Sequence, residues 1–329
     1  MNNKRVFGQY YTTHNPFDHI LFKEWVELFI SDINTVIEPF AGSNNIPYLL
    51  QSIGYNFTWK CYDIEPGTSV VNELNIEKRD TINNFPNDST VSITNPPYLG
   101  KSSARRRKID YPWQEDDLYK VCLSVMLENC DYVAAIIPES FITSNFHFER
   151  LWGIISLPYK MFDDTECPVC LAMFSPNGKN GKKIFSGNDF LGTIEKLTNH
   201  QLMIGKSYHN WRFNDKRGTI GVKTVDSKNC ADCRFFDGNE INDGDVKDTN
   251  RAFSKIYGLP FDVDKDLFIK KCNDVLNDYR AKTKDVTMTS FKGLRKDGKY
   301  RRRLDFATVR HILDFVLIDM ENDKKTILT

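Results

Sequence analysis

The chain has 329 residues, and its 44 lysines and arginines balance 44 aspartates and glutamates, so the formal net charge at pH 7 is zero. This length suits one large or two ordinary domains, and the charge balance gives no overall support for non-specific polyanion binding. No run of about 18 apolar residues predicts a membrane span, and no apolar signal core follows the first residues, so we expect an intracellular protein.

The N-terminal region predicts one helix after an aromatic, hydroxyl-rich segment at residues 7–13. Asn15 and Pro16 are typical of an N-cap and of the first position of a helix. Apolar residues then recur at helical spacing as far as Phe29. We therefore expect a helix that begins at Asn15-Pro16.

The first predicted strand covers residues 35–40 and runs into a small-residue turn at 41–45, after which a helix begins at Ile46. A strand, a small turn and a helix N-terminus are typical of the ligand-binding edge of Rossmann-like folds. The turn lacks the GK[ST] of a phosphate loop. Glu38 would repel a pyrophosphate, but its carboxylate suits a cationic or zwitterionic ligand. An ordinary strand-to-helix turn is the alternative.

Polar side chains also end the next three predicted strands. Residues 59–65 form a strand that ends in acids, which are well placed for ribose hydroxyls. Asp80 and Thr81 end a third strand, and residues 91–94 form a fourth that leads into Asn95. Because the carboxyl ends of parallel strands meet at one edge of a sheet, we expect these groups to converge if the sheet is parallel.

The turn at residues 95–98 has the sequence Asn-Pro-Pro-Tyr. Prolines cannot donate to a sheet ladder, so two in a row end the strand. The Asn95 amide oxygen and the Pro96 carbonyl can accept hydrogen bonds from an exocyclic amine, and Tyr98 can stack on the ring that carries it. A proline-rich turn without further role is the alternative.

Two basic segments predict contact with phosphates, with a solvated charged face as the alternative. Residues 99–117 read as a loop over the strand ends, and residues 292–303, with Gly293 and Gly298, as a mobile basic loop. The cations of the first are Lys101, Arg105, Arg106, Arg107 and Lys108. Those of the second are Lys292, Arg295, Lys296, Lys299, Arg301, Arg302 and Arg303.

Beyond the first basic segment the pattern continues with a helix over 118–127 and strands over 132–138, 151–159 and 169–174. The Gly- and Asn-rich stretch 175–182 is the best candidate for a linker. After it the alternation of strands and helices fades, apart from an amphipathic helix over 304–318. We therefore predict two domains, residues 1–176 and residues 177–329.

Cysteines occur in two CxxC pairs, Cys167/Cys170 and Cys230/Cys233, among eight in the chain. Four thiolates can hold a structural zinc ion. Cys167 and Cys170 are three apart on a predicted strand, however, where their side chains face opposite sides. We therefore expect free thiols and no metal.

Taken in order, these motifs resemble those of S-adenosylmethionine-dependent DNA adenine-N6 methyltransferases of the gamma class. Residues 8–13 resemble the motif over the methionine end of the cofactor, 38–43 the first motif and 63–65 the acidic second motif. Asp80 matches the third motif, and 95–98 is similar to the catalytic motif. Phe162 matches an aromatic residue that packs on a flipped base. The family usually has a glycine where Ser43-Asn44 stands, and Asn tolerates left-handed backbone, so we expect the turn to survive.

The resemblance implies a Rossmann-like α/β fold. This is a mostly parallel seven-stranded sheet with a late antiparallel hairpin in the catalytic domain 1–176, followed by a mixed target-recognition domain, 177–329. The implied catalytic residues are Asn95, Pro96, Pro97 and Tyr98. The implied cofactor-binding residues are Tyr10, Tyr11, Thr12, Glu38, Phe40, Ala41, Gly42, Asp63, Ile64, Glu65, Asp80, Thr81 and Asn95. The implied target-base and DNA-binding residues are Tyr98, Phe162, Lys101, Arg105, Arg106, Arg107, Lys292, Arg295, Arg301 and Arg302.

It also implies transfer of the S-adenosyl-L-methionine methyl group to N6 of a flipped adenine in double-stranded DNA. The chain would be the modification half of a type II restriction–modification system, with a cognate restriction endonuclease as its partner. Such enzymes belong to the cytoplasm of prokaryotes or phage-infected cells, near the nucleoid. No obligate protein partner is evident. Two alternatives stay open. One is a methyltransferase of the same chemistry that acts on RNA or a protein glutamine, and the other is a catalytically degenerate relative that binds DNA.

Overall fold

The computed structural model describes residues 15–87, 90–162, 166–178, 181–200 and 209–327. The chain divides into two compact units, unit 1 (Met1–Ile194) and unit 2 (Glu195–Thr329). Tyr10, Tyr11 and Thr12, which the sequence assigns to cofactor binding, lie outside the described residues. In the part of the chain that is described, no helix is both long enough and apolar enough to cross a membrane.

Unit 1 is built on one large sheet with helices beside it. Its helices are α1 (Ile20–Phe29), α2 (Asn45–Gln51), α3 (Lys101–Arg107) and α4 (Leu118–Asn129), and α5 (Ile194–His200) begins at its last residue. Its strands are β1 (Thr35–Glu38), β2 (Thr58–Asp63), β3 (Ile76–Lys78), β4 (Val91–Thr94), β5 (Tyr132–Pro138), β6 (Leu151–Leu157), β7 (Val169–Phe174), β8 (Lys183–Ser186) and β9 (Asp189–Thr193).

The strand order of this sheet is β3-β2-β1-β4-β5-β7-β6-β8-β9. The first five strands in the chain run parallel, and β7 lies antiparallel between β5 and β6. This confirms the expected Rossmann-like α/β fold, a mostly parallel sheet with a late antiparallel hairpin. β5, β6 and β7 are buried almost throughout, as expected for central strands covered on both faces.

Among the described residues the sheet has nine strands instead of the expected seven, because β8 pairs in parallel with β6 and β9 folds back on β8. The stretch predicted to be a linker is therefore a connection between two strands of the same sheet. As a result, the boundary between the compact units falls after Ile194 and not after residue 176.

Two local predictions in unit 1 need correction. α1 has His19 as its N-cap, with the ring accepting a hydrogen bond from the Leu21 N–H, whereas the Asn15 side chain accepts from the Phe17 N–H in the turn before it. The basic segment after the Asn-Pro-Pro-Tyr turn is not all loop, because residues 101–107 form α3. Its one buried side chain is Ala104, which is too little apolar surface to show as a pattern in the sequence.

Unit 2 is a mixed α/β unit, as predicted for the C-terminal part. Its strands are β10 (Arg212–Phe213), β11 (Ile220–Lys223), β12 (Arg234–Asp237), β13 (Phe253–Tyr257), β14 (Thr289–Leu294) and β15 (Tyr300–Arg303), and its long helices are α6 (Lys265–Thr283) and α7 (Phe306–Ile327). The strands form an antiparallel sheet of order β10-β13-β11-β12 and a hairpin of β14 with β15. The sheet and both helices share one apolar core that includes Trp211, Phe235 and Phe268.

A buried carboxylate, Asp226, connects separate parts of unit 2. Its side chain is fully buried and accepts hydrogen bonds from Arg280 on α6 at 2.8 and 2.9 Å and from Arg295 at 3.3 Å. The main-chain N–H of Arg302 on β15 donates to it at 3.1 Å. Burial alone would raise the pKa of this carboxyl, but the Arg280 guanidinium and the N–H donors hold it well below its ordinary range.

The second basic segment is consequently not a mobile loop, since most of it forms the hairpin of β14 and β15. Arg295 and Arg302 are only 8% and 5% exposed, and Arg295 also pairs with Asp297 at 2.9 Å. The expectation that these two arginines are exposed cations of a mobile loop is therefore wrong, and their burial argues against the predicted contact with DNA. Lys292 is exposed and Arg301 is half-buried.

We expect Asp226→Ala to lower the free energy of unfolding by about 3–5 kcal/mol, because it leaves buried guanidinium groups without their carboxylate. Urea unfolding at pH 7 measures this change. Because the folded pKa is depressed, the contribution of Asp226 is present above the unfolded pKa of about 3.9 and is lost as the pH falls below it. The control is Asp274→Ala at an exposed site on α6, and an equal loss in both variants would contradict the assignment.

Candidate active site

The carboxyl ends of four neighbouring strands meet at one edge of the sheet of unit 1, as the sequence predicts. The Thr94 hydroxyl at the end of β4 donates to the Glu38 carboxyl at the end of β1. After β2, the Asp63 carboxylate accepts from the Gly42 N–H at 2.8 Å. After β3, the Thr81 hydroxyl donates to the Pro39 carbonyl at 2.8 Å. Hydrogen bonds thus join all four strand ends.

Glu38 is the most unusual group at this edge. It is 1% exposed, and its Oε1 accepts from Thr94 and from the Phe40 N–H. Its Oε2 is buried and has no hydrogen-bond partner among the described residues. Burial, opposed by the Thr94 hydrogen bond, raises the pKa of this carboxyl to about 8. When ionised, this carboxyl presents at Oε2 a buried acceptor that a cationic ligand would satisfy, and such a ligand would favour the ionised form.

The turn after β1 keeps its shape without a second glycine. Gly42 has φ 55°, and Asn44 takes the left-handed conformation with φ 61° and ψ 34°. The buried Asn44 amide donates to Ser69 Oγ at 2.9 Å and to the Leu74 carbonyl at 3.2 Å. The expectation that an asparagine preserves this turn is confirmed.

A second chain segment lies directly against this turn, which the sequence analysis missed. The Gly67 N–H donates to the Gly42 carbonyl at 2.7 Å, and the Val70 N–H donates to the Ser43 carbonyl at 2.9 Å. A Cβ atom on Gly67 would lie 2.5 Å from Ser43 Oγ and 2.8 Å from the Gly42 oxygen. Only glycine fits at position 67. In the sequence, the Pro66-Gly67 pair that follows Asp63 and Glu65 could have indicated a tight turn here.

The acidic residues of the second and third motifs have different surroundings. Asp63 is buried, and it holds the turn by accepting from the N–H groups of Gly42 and Glu65, each at 2.8 Å. Burial raises the pKa of the Asp63 carboxyl, while these N–H groups lower it. Ile64 and Glu65 are exposed beside it. Asp80 is half-buried and accepts from the Asn83 side chain at 2.8 Å.

The Asn95–Tyr98 turn packs tightly in this structure. Tyr98 is 7% exposed, and its hydroxyl is hydrogen-bonded to Asn95 Oδ1 and to the Ile136 carbonyl, the latter at 2.6 Å. Its ring centroid lies 6.2 Å from that of Phe162, with 66° between the planes. Phe162 is fully buried. The structure therefore brings Phe162 to the turn but leaves no space for a base between the two rings.

The cations of α3 follow this turn and are largely exposed. Lys101 donates to the Trp113 carbonyl at 3.0 Å and lies over the Tyr111 ring, and Arg106 donates to Ser103 Oγ. Arg105, Arg106 and Arg107 project from the last turn of the helix. Their exposure is compatible with phosphate contact.

The cysteines give no sign of a metal centre. None of the eight takes part in a disulfide bond among the described residues, and burial raises the pKa of Cys167 and Cys233 to about 12. Within the described ranges, no group of three or more His, Cys, Asp or Glu side chains could hold a metal ion.

No protein-family model matches the sequence, and comparison with curated proteins also finds no match. Among solved structures, the type I restriction-modification methyltransferase subunit from Streptococcus thermophilus is similar, with 15% identity, a TM-score of 0.40, and coverage of 59% of this chain and 53% of that one. A modification subunit assigned to a type I restriction enzyme of Vibrio vulnificus YJ016 shows 12% identity, a TM-score of 0.37, and coverage of 54% and 47%. The EcoKI M protein shows 13% identity, a TM-score of 0.32, and coverage of 78% and 68%.

The chain thus spans about half the length of the first two of these proteins.

We expect Glu38→Gln to change the pH dependence of stability. The folded pKa of Glu38 is about 8 against an ordinary value of 4.5, so the unfolded chain loses this proton first as the pH rises. Glu38 therefore weakens the wild-type fold progressively between these values, and the full penalty applies above the folded pKa. Relative to wild type, the variant gains stability on going from pH 4 to pH 9. Urea unfolding across this range tests it, and a pH-independent difference would contradict the assignment.

Proposed function

We propose that this chain is an S-adenosylmethionine-dependent DNA methyltransferase that modifies N6 of adenine. The main support for this proposal is the hydrogen bond from Thr94 to Glu38. It holds the Asn95 turn directly beside the edge formed by the ends of β1 and β2. An amine-accepting turn and a ligand edge with a buried acid thus form a single site. Transfer of a group to an exocyclic amine requires both elements side by side.

The residues at the edge fit the cofactor. Glu38 Oε2 is a buried oxygen without a hydrogen-bond partner in the part of the chain that the structure describes, and in the ionised carboxyl a positively charged group would satisfy it. Glu65, exposed next to Asp63, would take the ribose hydroxyls, while Asp80 would accept from the adenine amine. When bound, S-adenosylmethionine supplies a methyl group that its sulfonium has already activated, so the protein needs no metal for that purpose.

The Asn95 turn would hold the target amine. The amine lone pair of adenine is delocalised into the ring and is a poor nucleophile. Hydrogen bonds from the NH2 group to Asn95 Oδ1 and to the Pro96 carbonyl favour a more tetrahedral nitrogen and fix its direction. The nitrogen gains the methyl group and loses one proton. Asn95 and Pro96 act by position and electrostatics, and neither forms a covalent intermediate.

Entry of the base requires the aromatic pair to separate. Tyr98 and Phe162 now contact each other edge-on, so a flipped adenine would replace this contact with stacking on one or both rings. Flipping costs a few kcal/mol, and stacking returns about 1–3 kcal/mol per base. The Tyr98 hydroxyl would have to release Asn95 Oδ1 in the same movement, because that oxygen is the proposed acceptor of the amine.

Double-stranded DNA is the proposed substrate, and the chain is proposed to be the modification half of a type II restriction–modification system with a separate endonuclease. Support comes from the exposed cations of α3 and, in unit 2, from the exposed Lys292 and the half-buried Arg301. Unit 2 is proposed to select the DNA sequence.

We expect Asn95→Ala to lower the rate of methyl transfer by about 100-fold or more, since it removes one positioned acceptor. The assay follows radiolabelled methyl transfer from the cofactor to a duplex DNA library, with N6-methyladenine identified in the product. Calorimetric binding of the cofactor should persist in the variant. The matched control is Asn129→Ala, an exposed residue of α4, which should retain wild-type activity. Transfer by the wild type to RNA or protein only, or to nothing, would overturn the proposal.

We expect the double variant Arg105→Gln, Arg106→Gln to bind duplex DNA more weakly and with less dependence on salt. If both side chains contact phosphates, the slope of log K against log salt becomes shallower by about 0.9 for each cation removed. Fluorescence anisotropy over a series of salt concentrations measures it. Lys60→Gln, on the exposed side of β2, is the control. An unchanged slope in the double variant would remove α3 from the DNA interface.

A further inference from the structure

Unit 2 contains an open cleft of about 450 Å³ that no motif in the sequence predicts. It lies among the ends of β11 and β12, the acidic segment 238–245, the start of β13 and the hairpin of β14 and β15. All of its lining belongs to this one unit. Its volume falls within the range of pockets that bind small molecules, about 300–1,000 Å³.

Part of the lining consists of phenylalanine rings that each have an arginine guanidinium lying over them. The Arg301 guanidinium lies 4.8 Å from the centroid of the Phe291 ring, and the Arg234 guanidinium lies 5.7 Å from that of Phe236. Phe291 is 36% exposed on its hairpin strand. Arginine–aromatic pairs of this kind stack well on planar heterocycles where one face is accessible.

The charges of the cleft have opposite signs on different elements. Arg301 donates to the main-chain carbonyls of Asp226 and Lys292 at 2.8 and 3.1 Å, bonds that orient its guanidinium without neutralising it. Glu240 and Asp245 stand on the acidic segment, are exposed, and make no ion pair with any described residue. The cleft thus offers a cation for a phosphate and separate carboxylates for a hydrogen-bond donor.

We propose that this cleft binds a nucleotide whose base carries an exocyclic amine. The base stacks against Phe291 and Arg301, and the amine donates to Glu240 or Asp245, which is the type of contact that acidic side chains make with cytosine N4. Arg301 attracts the phosphate. Thymine presents a carbonyl oxygen where cytosine has its amine, and a carboxylate repels that oxygen. The cleft therefore discriminates cytosine from thymine.

This inference does not depend on methyl transfer in unit 1, so the two proposals can fail separately. The nucleotide has two possible sources, free in solution or within a DNA strand. In the second case the cleft gives unit 2 a means of reading one base of a target.

The test is calorimetric titration of the full chain with dCMP and dTMP, and with the single-stranded hexamers of deoxycytidine and of thymidine. We expect the cytosine ligand to bind about tenfold more tightly than its thymine counterpart, as for one hydrogen bond to a charged group. Selective binding of dCMP indicates a free nucleotide. Selective binding of the hexamer alone indicates a nucleotide within a strand, and either result supports the proposal.

Two variants separate the interactions. Glu240→Ala with Asp245→Ala should abolish the preference for cytosine, and Phe291→Leu should weaken both ligands about tenfold, the effect of losing one base-stacking contact. Asp274→Ala on exposed α6 is the control and should bind as wild type. Equal affinity for cytosine and thymine ligands, no binding of any of the four, or an unchanged preference in the carboxylate variant would each overturn the proposal.

Discussion

The site of unit 1 depends on one hydrogen bond, from the Thr94 hydroxyl to the buried Glu38 carboxyl. It joins the ends of two neighbouring parallel strands, so the edge after β1 and the Asn95 turn after β4 share a fixed geometry. The cost of this arrangement is a carboxyl in an environment that resists its ionisation. One oxygen of this acid has no hydrogen-bond partner among the described residues, and ionisation of the acid weakens the fold, so binding explains its presence better than folding does.

The turn after β1 shows how a departure from a common pattern is compensated. Where a glycine is usual, Asn44 adopts the left-handed backbone itself and donates to Ser69, 25 residues further along the chain. The segment that receives this bond approaches so closely that position 67 has to be glycine. Asparagine therefore serves in the turn itself, and glycine is needed in the opposing segment because a side chain there would collide with the turn.

Buried apolar runs and strand-terminating residues are local signals, and they predicted most of the strands of unit 1 and, for a parallel sheet, the convergence of their polar ends. The mostly parallel sheet with its late hairpin was implied by the resemblance of the motifs to a known family. The sequence-based predictions failed where the structure depends on contacts between residues that are far apart in the chain. Arg295 and Arg302 looked like surface cations, but both are buried. The Arg295 guanidinium and the Arg302 main-chain N–H donate to the Asp226 carboxylate, which is 69 and 76 residues away in the chain. Likewise α3, with a single buried side chain, looked like a charged loop, and its helix is held by bonds from Lys101 to carbonyls at Trp113 and Gln114.

The extra strands β8 and β9 cover an edge of the unit 1 sheet that could otherwise pair with another molecule. β6 is buried along its whole length and carries apolar side chains, so without β8 its unpaired backbone would be a template for the same strand of another molecule. The added hairpin moves the open edge of the sheet to β9, a shorter strand with no fully buried residue and with Gly192 in its interior. A fragment ended at residue 176 would therefore expose an aggregation-prone edge, and the smallest safe unit extends to Ile194.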